Sequence, residues 1–468
     1  MASFQSPETV SSGASPKPPP RSPRHIELDG RTLEGGGQLI RNALALSALT
    51  SRPVTIDHVR GNRGGKTGLK TSHAAAVKLL AEISRSKVTG GQVGSKCVTF
   101  EPEAPASEES TSTKTGHQSP LVSLSELSVQ PEYTIQLPTP GSVFLIFQAL
   151  YPYLLHVGSR AGTNCVKVTI TGGTNGTSSP SYDYASQVMA PNFARLGLPP
   201  LSINLHKRGW TVGPIEMGTV TFHIHPLGAM VNAEGVPDTR FPRINLMDHE
   251  RGKITQIDLT VLAPDSTLVG ESQTVRKYVE QRTCRRLRKA LQAMDSSNFD
   301  IRSVPIKLHT SEPTTHMSRV YILLVAHTST GFRIGTDGWI GGQWASGSPK
   351  KKHKSTKEAQ RHHERGDTRS KDQAEAASYI DAVLEVFIED ISYKGCGSSK
   401  ATDKRPPLLD LHMRDQVVVF EALGEAHGVG SDNSNTDKCR QLENEQYWSL
   451  HTRTSQWVCQ KMLTETPE

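Results

Sequence analysis

The chain has 468 residues, 35% of them hydrophobic and 21% charged, with a formal net charge of +7. Residues 350–371 hold nine Lys or Arg against three acidic residues, or +6, so the rest is near neutral and global charge carries no argument for a nucleic-acid-coating protein. No apolar run is long enough to span a bilayer, and Met-Ala-Ser-Phe-Gln-Ser-Pro at the N-terminus has no signal-type apolar stretch, which predicts a soluble intracellular protein without a membrane partner.

In chain order, the Pro- and Ser-rich residues 1–24 predict a disordered tail. A helix is predicted over Gly37–Leu46, a strand over Val54–Val59, a second helix over His73–Ser84 and a strand over Val98–Phe100. A polar insertion, 103–130, follows. Then come a helix over Gly141–Leu150, a strand over Val166–Thr171, a helix over Tyr182–Leu196 and a strand over Val220–His225. Residues 230–340 differ in texture, with strands predicted over Lys253–Val261 and Val320–Ala326 and an amphipathic helix over Val275–Met294. Two further helices, Arg414–Leu423 and Thr452–Leu463, lie among polar insertions at 345–376, 396–407 and 429–445.

The helices starting near Gly37, Gly141 and Arg414 share a polar start and a later Ala-Leu pair, a weak internal repeat. The expectation is an α+β fold of three repeated units, each a small β-sheet covered by two helices, with a smaller inserted α/β domain. The first two units occupy 25–229, the inserted domain 230–340, and the third unit 341–468.

Cys97, Cys165, Cys284, Cys396, Cys439 and Cys459 form no Cys-x-x-Cys pair, which argues against a zinc ribbon or redox motif and fits a reducing compartment.

Two segments carry candidate chemistry. In Glu34-Gly35-Gly36-Gly37-Gln38, glycines before a helix free backbone N–H groups for an anion, and Glu34 suits a metal that bridges phosphates. On glycines alone, a plain turn with a helix cap is the commoner reading. Between Arg60 and Lys70, the cations Arg60, Arg63, Lys66 and Lys70 alternate with glycines, which suits phosphate contacts and equally a solvated loop. Gly65-Lys66-Thr67 falls short of a P-loop because Arg60 stands where that motif needs glycine. Gly335-Thr336-Asp337-Gly338 lacks the lysine of a Lys-x-Asp-Gly nucleotidyl-transfer motif, and no Gly-x-Ser-x-Gly elbow occurs.

Leu33 to Arg41, with Arg60, Arg63, Gly68-Leu69-Lys70 and His73, resembles the start of RNA 3′-terminal phosphate cyclases. Gly141 to Gln148, Gly172-Gly173-Thr174-Asn175 with Pro180 and Asp183-Tyr184, Thr328 to Gly331, Asp415-Gln416 and Leu450 to Thr454 resemble the later motifs in the same order. The resemblance runs from about His25 to Met462. It implies a large domain of three repeats with an inserted α/β domain, and an ATP-dependent enzyme with a divalent metal (Mg or Mn). In the implied reaction a histidine takes AMP from ATP and passes it to an RNA 3′-phosphate end. The 2′-hydroxyl then displaces AMP to leave a 2′,3′-cyclic phosphate.

Carried over residue by residue, the resemblance implies His451 as the nucleophile and Glu34 as the metal or phosphate-site carboxylate. Gly35, Gly36, Gly37, Arg60, Arg63 and Lys70 are implied at the phosphate and RNA end. Gln148, Pro180, His412, Asp415 and Gln416 are implied at the adenylate. A neutral imidazole is a competent nucleophile near pH 7, and a helix cap at Thr452 or Thr454 would aim a helix N-terminus at the phosphate. The chain departs from the family at His412, where a tyrosine is usual, at Ser72, where a glutamine is usual, and at Lys70, where an arginine is usual. The loop Thr211–Gly218 also lacks the family's glycine run. The alternative is a non-catalytic, cyclase-like RNA-binding protein of ribosome assembly. Lys350-Lys351-Lys352-His353-Lys354 suits a nuclear import signal or a merely solvated insertion, and the first reading predicts a soluble nuclear protein.

Overall fold

The computed structural model describes residues 25–103, 121, 129–158, 164–211, 213–228, 238–267, 273–294, 301–339, 368–392, 406–427 and 448–464. The expected disordered tail, most of the expected polar insertions and the Lys350–Lys354 run lie outside the described residues, as do Cys396 and Cys439.

The described residues form three four-stranded sheets and a set of helices, a mixed α+β architecture. In the first sheet β1 (Ile26–Asp29) runs through α1 (Gly37–Thr50) to a parallel β2 (Val54–Asp57). From there α2 (Thr71–Ile83) leads to β3 (Lys87–Thr89) and β4 (Val98–Glu101), giving the order β1-β2-β4-β3. The second sheet repeats this path. Here β5 (Glu132–Gln136), α3 (Val143–Val157) and β6 (Val166–Gly172) form the parallel pair. Two short helices, α4 (Tyr182–Tyr184) and α5 (Ala190–Arg195), are joined by a π-helical turn over Ala185–Met189. Strands β7 (Leu201–Lys207) and β8 (Gly218–Ile224) complete the order β5-β6-β8-β7. Both sheets thus have one parallel pair followed by two antiparallel pairs.

The third sheet comes from the segment read as an inserted domain. It holds β9 (Ile254–Pro264), β10 (Ile306–Thr314), β11 (Tyr321–Thr328) and β12 (Arg333–Trp339) in the order β10-β9-β11-β12. Helix α6 (Val275–Ala293) and helix α7 (Thr368–Ser392) bury one face of it in a core of their own, including Val279, Leu287 and Phe387. The other face places Leu262, Tyr321, Leu323 and Val325 in the main core with the first two sheets. Helix α7 starts at Thr368, inside the stretch 345–376 that the composition marks as polar insertion. Helices α8 (Leu411–His427) and α9 (Leu450–Leu463) complete the described residues, and no strand occurs in the described part of 341–468.

Helix α1 is the pivot of the main core. From Gln38 to Thr50 every residue is buried, as expected of a helix whose apolar residues wrap its whole circumference. It packs against α2, α3 and α9, while α8 packs on α9. The N-terminus of this buried helix therefore opens onto residues from both ends of the chain. No described helix is long and apolar enough to cross a membrane.

Candidate active site

The loop before α1 is shaped by glycine. Gly35 has φ +57°, a region that favours glycine, and an added Cβ there would sit 2.5 Å from the Gly30 carbonyl oxygen. Gly36 caps α1 in extended conformation with no side-chain cap bond, leaving the first N–H groups of the helix without a side-chain acceptor. A Cβ on Gly37 would meet His73 Nε2 at 2.6 Å and Arg41 Nη1 at 2.7 Å. Glycine thus lets these two side chains press against the helix start.

Helix α9 docks its first turn onto this loop. Ser449 caps it by accepting from the Thr452 N–H at 3.0 Å, which sets His451 in the first turn, where the helix dipole is positive. The Glu34 N–H donates to Thr454 Oγ1 at 3.2 Å, and Gln38 Nε2 donates to Ser455 Oγ at 3.1 Å. The result brings His451 Nδ1 to 3.2 Å from Glu34 Oε2, while Arg63 Nη2 bonds Glu34 Oε1. Glu34 is buried. Burial raises its pKa, but the His451 hydrogen bond and the charges of His451, Arg63 and Arg41 outweigh it, so the carboxyl is held below its ordinary value.

The rest of the site is rich in cations. Arg41 is buried, donates to Gln38 Oε1, and has no partner for Nε. Burial lowers its pKa to about 10, against the pull of Glu34 and Asp415, so it stays charged at neutral pH. Arg60, itself at φ +57°, donates to the Lys66 carbonyl at 2.8 Å and lies buried. Lys70 is exposed, and its pKa is held below the usual value by partial desolvation of the ammonium group and by the charges of Arg60 and Arg63. His73 accepts from the Lys70 N–H through Nδ1 at 3.3 Å, which leaves the proton of the neutral ring on Nε2. Burial and then Arg41, Arg60 and Lys70 push its pKa down to about 3. Arg41, Arg60 and Arg63 act on Glu34, and Lys70 lies close to Arg60 and Arg63, so the site carries a positive surplus, the electrostatics of an anion site.

A pocket opens beside it between α1, α3, α5 and α8. Its lining includes Gln38, Asn42, Gln148, Tyr151, Asp415 and Gln416, with Phe147, Phe193 and Phe420 as aromatic wall. Three buried polar atoms here have no hydrogen-bond partner: Asn42 Nδ2, Gln148 Oε1 and the Tyr151 hydroxyl. Unsatisfied polar atoms in one recess point to a polar ligand, because burying them unpaired is costly. Pro152 lies within α3 and has no N–H for the Gln148 carbonyl, and the π-helical turn ends at the pocket with Met189. Asp415 is buried beside this recess. Burial raises its pKa, opposed by the charges of His451 and His412, by the bond from Gln416 and by Arg41.

Of the residues singled out in the sequence, Glu34, Gly35, Gly36, Gly37, Arg60, Arg63, Lys70 and His451 form the first site. Gln148, Asp415 and Gln416 line the adjoining pocket. Pro180 lies in the turn before α4, and His412 is exposed at the start of α8; neither lines the pocket. His412 stands edge-on to Tyr184 at 6.3 Å between ring centres. Sequence reading missed Arg41, His73, Gln38 and Asn42 as site residues. The signal available was their helical spacing, since Gln38, Arg41 and Asn42 share the inward side of α1 at three- and four-residue steps.

The sequence model of the family described as RNA 3′-terminal phosphate cyclase matches residues 32–467. The chain belongs to this family. A curated relative of that name from Koribacter versatilis is 30% identical over 260 residues, covering 53% of this chain and 64% of its own. Relatives of the same name from Caldivirga maquilingensis and Sulfurisphaera tokodaii are 35% and 34% identical over 207 and 173 residues, covering 44% and 37% of this chain and 49% and 42% of theirs. The chain therefore spans less than two thirds of the curated cyclases it matches. The family match includes the Gly35–Gly37 loop, Arg60, Arg63, Asp415 and His451 within its bounds.

Proposed function

We propose that the protein is an ATP-dependent RNA 3′-terminal-phosphate cyclase that works through a histidine-AMP intermediate. The observation that carries this reading is the contact of His451 Nδ1 with Glu34 Oε2 at the start of two helices, α1 and α9. A carboxylate on Nδ1 holds the proton there and leaves the Nε2 lone pair free as nucleophile. His451 Nε2 attacks the α-phosphorus of ATP, the N–P bond forms, and pyrophosphate leaves. An oxygen of the RNA 3′-phosphate then attacks the same phosphorus and displaces the imidazole. Finally the 2′-hydroxyl attacks the activated 3′-phosphorus, loses its proton, and expels AMP to give the 2′,3′-cyclic phosphate.

Each neighbouring residue has a role in that scheme. Arg41, Arg60, Arg63 and Lys70 neutralise the polyphosphate and the RNA end, and the bare α1 N-terminus adds oriented N–H donors. The recess at Gln148, Asp415 and Gln416 takes the nucleoside, while His412 and Pro180 lie outside its lining. Glu34 is the carboxylate suited to a divalent metal. It is buried and its pKa is held below the ordinary value, so it offers a charged carboxylate, and one carboxylate plus substrate phosphates is a usual Mg²⁺ environment. Among the described residues no group of three or more His, Cys, Asp or Glu side chains could hold a metal ion by itself. Such a metal would supply charge neutralisation at the phosphates.

We further propose the family's arrangement of three repeated units, with the third assembled from parts of 230–468, and a nuclear location directed by Lys350–Lys354. The juxtaposition of Glu34 and His451 favours the enzyme over a non-catalytic RNA-binding relative. The test is conversion of a 3′-phosphorylated RNA to a phosphatase-resistant cyclic end. Product that requires ATP supports the reading, and unchanged RNA under the same conditions refutes it.

A further inference from the structure

We propose that Leu33 and Leu450 form the subsite for the 3′-terminal nucleobase of the RNA, packing on its face while the terminal phosphate sits beside His451; this rests on RNA being the substrate, as read above. Both leucines stay open to solvent, 37% and 49% exposed. Each immediately precedes one of the two residues in contact at the site, Glu34 and His451. Neither belongs to either hydrophobic core.

Hydrogen bonds hold the two leucines near each other. The Thr454 hydroxyl accepts from the Glu34 N–H at 3.2 Å and donates to the Leu450 carbonyl at 2.7 Å. One hydroxyl thus joins the Leu33–Glu34 peptide to Leu450. Leu450 is the first residue of α9 and lies four residues before Thr454, on the helix face that meets the loop. Side chains tilt toward a helix N-terminus, so Leu450 projects past the end of α9 on the Leu33 side. Leu33 itself stands at φ +53°, and the Asn62 side chain holds its carbonyl at 2.8 Å. Among the described non-glycine residues at positive φ it is the one apolar side chain, and burial does not offset the strain. Strain of this kind gathers at ligand sites.

The chemistry of the reaction selects the occupant. Neither leucine lines the recess of Gln148, Asp415 and Gln416, so they stand outside the pocket read as taking the nucleoside of ATP. The cations nearby suit phosphates. What remains of an RNA end placed for attack is its terminal base. That base hangs from the same ribose as the 2′-hydroxyl and 3′-phosphate, which keeps it beside the reacting atoms. An apolar side chain packs on the face of a base without reading its hydrogen-bonding edge, so the subsite accepts any base. Two leucines are too small a patch for a stable contact with a second protein.

The test is fluorescence anisotropy on the full chain with two labelled RNAs that end in 3′-phosphate and differ only in whether the terminal ribose carries a base. The parent should bind the RNA with the base about tenfold more tightly, roughly the effect of covering two half-exposed leucines. The polar variant combines Leu33→Asn, since asparagine tolerates positive φ, with Leu450→Gln, which a helix accepts. It should bind both RNAs equally, at about the strength of the parent for the base-free RNA. Leu33→Met with Leu450→Met should keep the preference, because the apolar surface is kept. Leu450→Gln alone, on the exposed helix end, should lose part of it. No base preference in the parent, or a full preference in either the polar variant or Leu450→Gln, would overturn the proposal. A surviving preference with altered sedimentation would assign the leucines to a contact between copies of the chain instead. Self-adenylylation of the parent is measured alongside. If the parent takes no label yet shows a base preference that the polar variant loses, the cyclase reading falls and the base subsite stands. If it takes label and shows no preference, the subsite falls and the cyclase reading stands.

Discussion

His451 Nδ1 lies 3.2 Å from Glu34 Oε2, joining the first turn of the last described helix to the loop before the first. The contact fixes the imidazole tautomer. Glu34→Gln keeps the shape but allows the amide to donate to Nδ1, which moves the ring proton to Nε2 and removes the nucleophilic lone pair. Adenylylation should slow by about 10²-fold or more, within the range of lost acid–base partners, as measured by label uptake over time. An unchanged rate would mean that Glu34 does not set the tautomer.

Gly37→Ala tests the packing of the anion site. The new Cβ would stand 2.6 Å from His73 Nε2 and 2.7 Å from Arg41 Nη1, both of which must move. Alanine is otherwise favourable in a helix. The expected outcome is a thermal midpoint close to that of the parent with a clearly raised KM for the 3′-phosphorylated RNA.

The pocket beside the site should respond as a nucleoside pocket. Gln148→Ala removes a buried acceptor that has no protein partner, so it costs the apo protein little. It should raise the KM for ATP by about tenfold, the effect of removing one hydrogen bond to a polar ligand, and leave the RNA KM near its parent value.

Acid stability offers a separate check. His73 has a folded pKa of about 3, below the value of about 6.5 expected unfolded. The unfolded chain therefore binds a proton that the native site refuses. The native state keeps its full stability above pH of about 6.5 and loses about 1.4 kcal/mol per pH unit from this residue as pH falls toward 3. His73→Gln should flatten that part of the curve, measured as thermal midpoint against pH.

How much of this was legible in the sequence depends on position in the sheets. The six strands expected from composition are β2, β4, β6, β8, β9 and β11, and all six are interior strands. The six unexpected ones, β1, β3, β5, β7, β10 and β12, are all sheet edges. Interior strands such as β6, Val166–Gly172, alternate buried and open residues and are rich in Val, Ile and Thr. Edge strands are kept short or polar, as in Lys87–Thr89 or in β10, where a bulge and Pro313 also guard the free edge, so their patterns fade. The seven expected helices cover every labelled helix but α7; the one expected over Tyr182–Leu196 spans α4, the π-helical turn and α5. Helix α7 was missed, since its first turns are charged and merge with the polar stretch before them.

The site divides in the same way. Glu34, Arg60, Arg63 and His451 stood out because glycines and charges cluster around them or because the motifs fall in family order. Arg41 and His73 fell within the family-like motifs but carried no role of their own there. Only packing reveals that one is a buried cation with a free Nε and the other a neutral histidine among three cations.

The most direct test of the central claim is self-adenylylation. The full chain is incubated with α-labelled ATP and Mg²⁺ or Mn²⁺, and the protein is examined for an acid-labile label mapped to its residue. The account predicts one label, on His451, that disappears in His451→Ala. No label on the parent protein, or a label undiminished in His451→Ala, would contradict it.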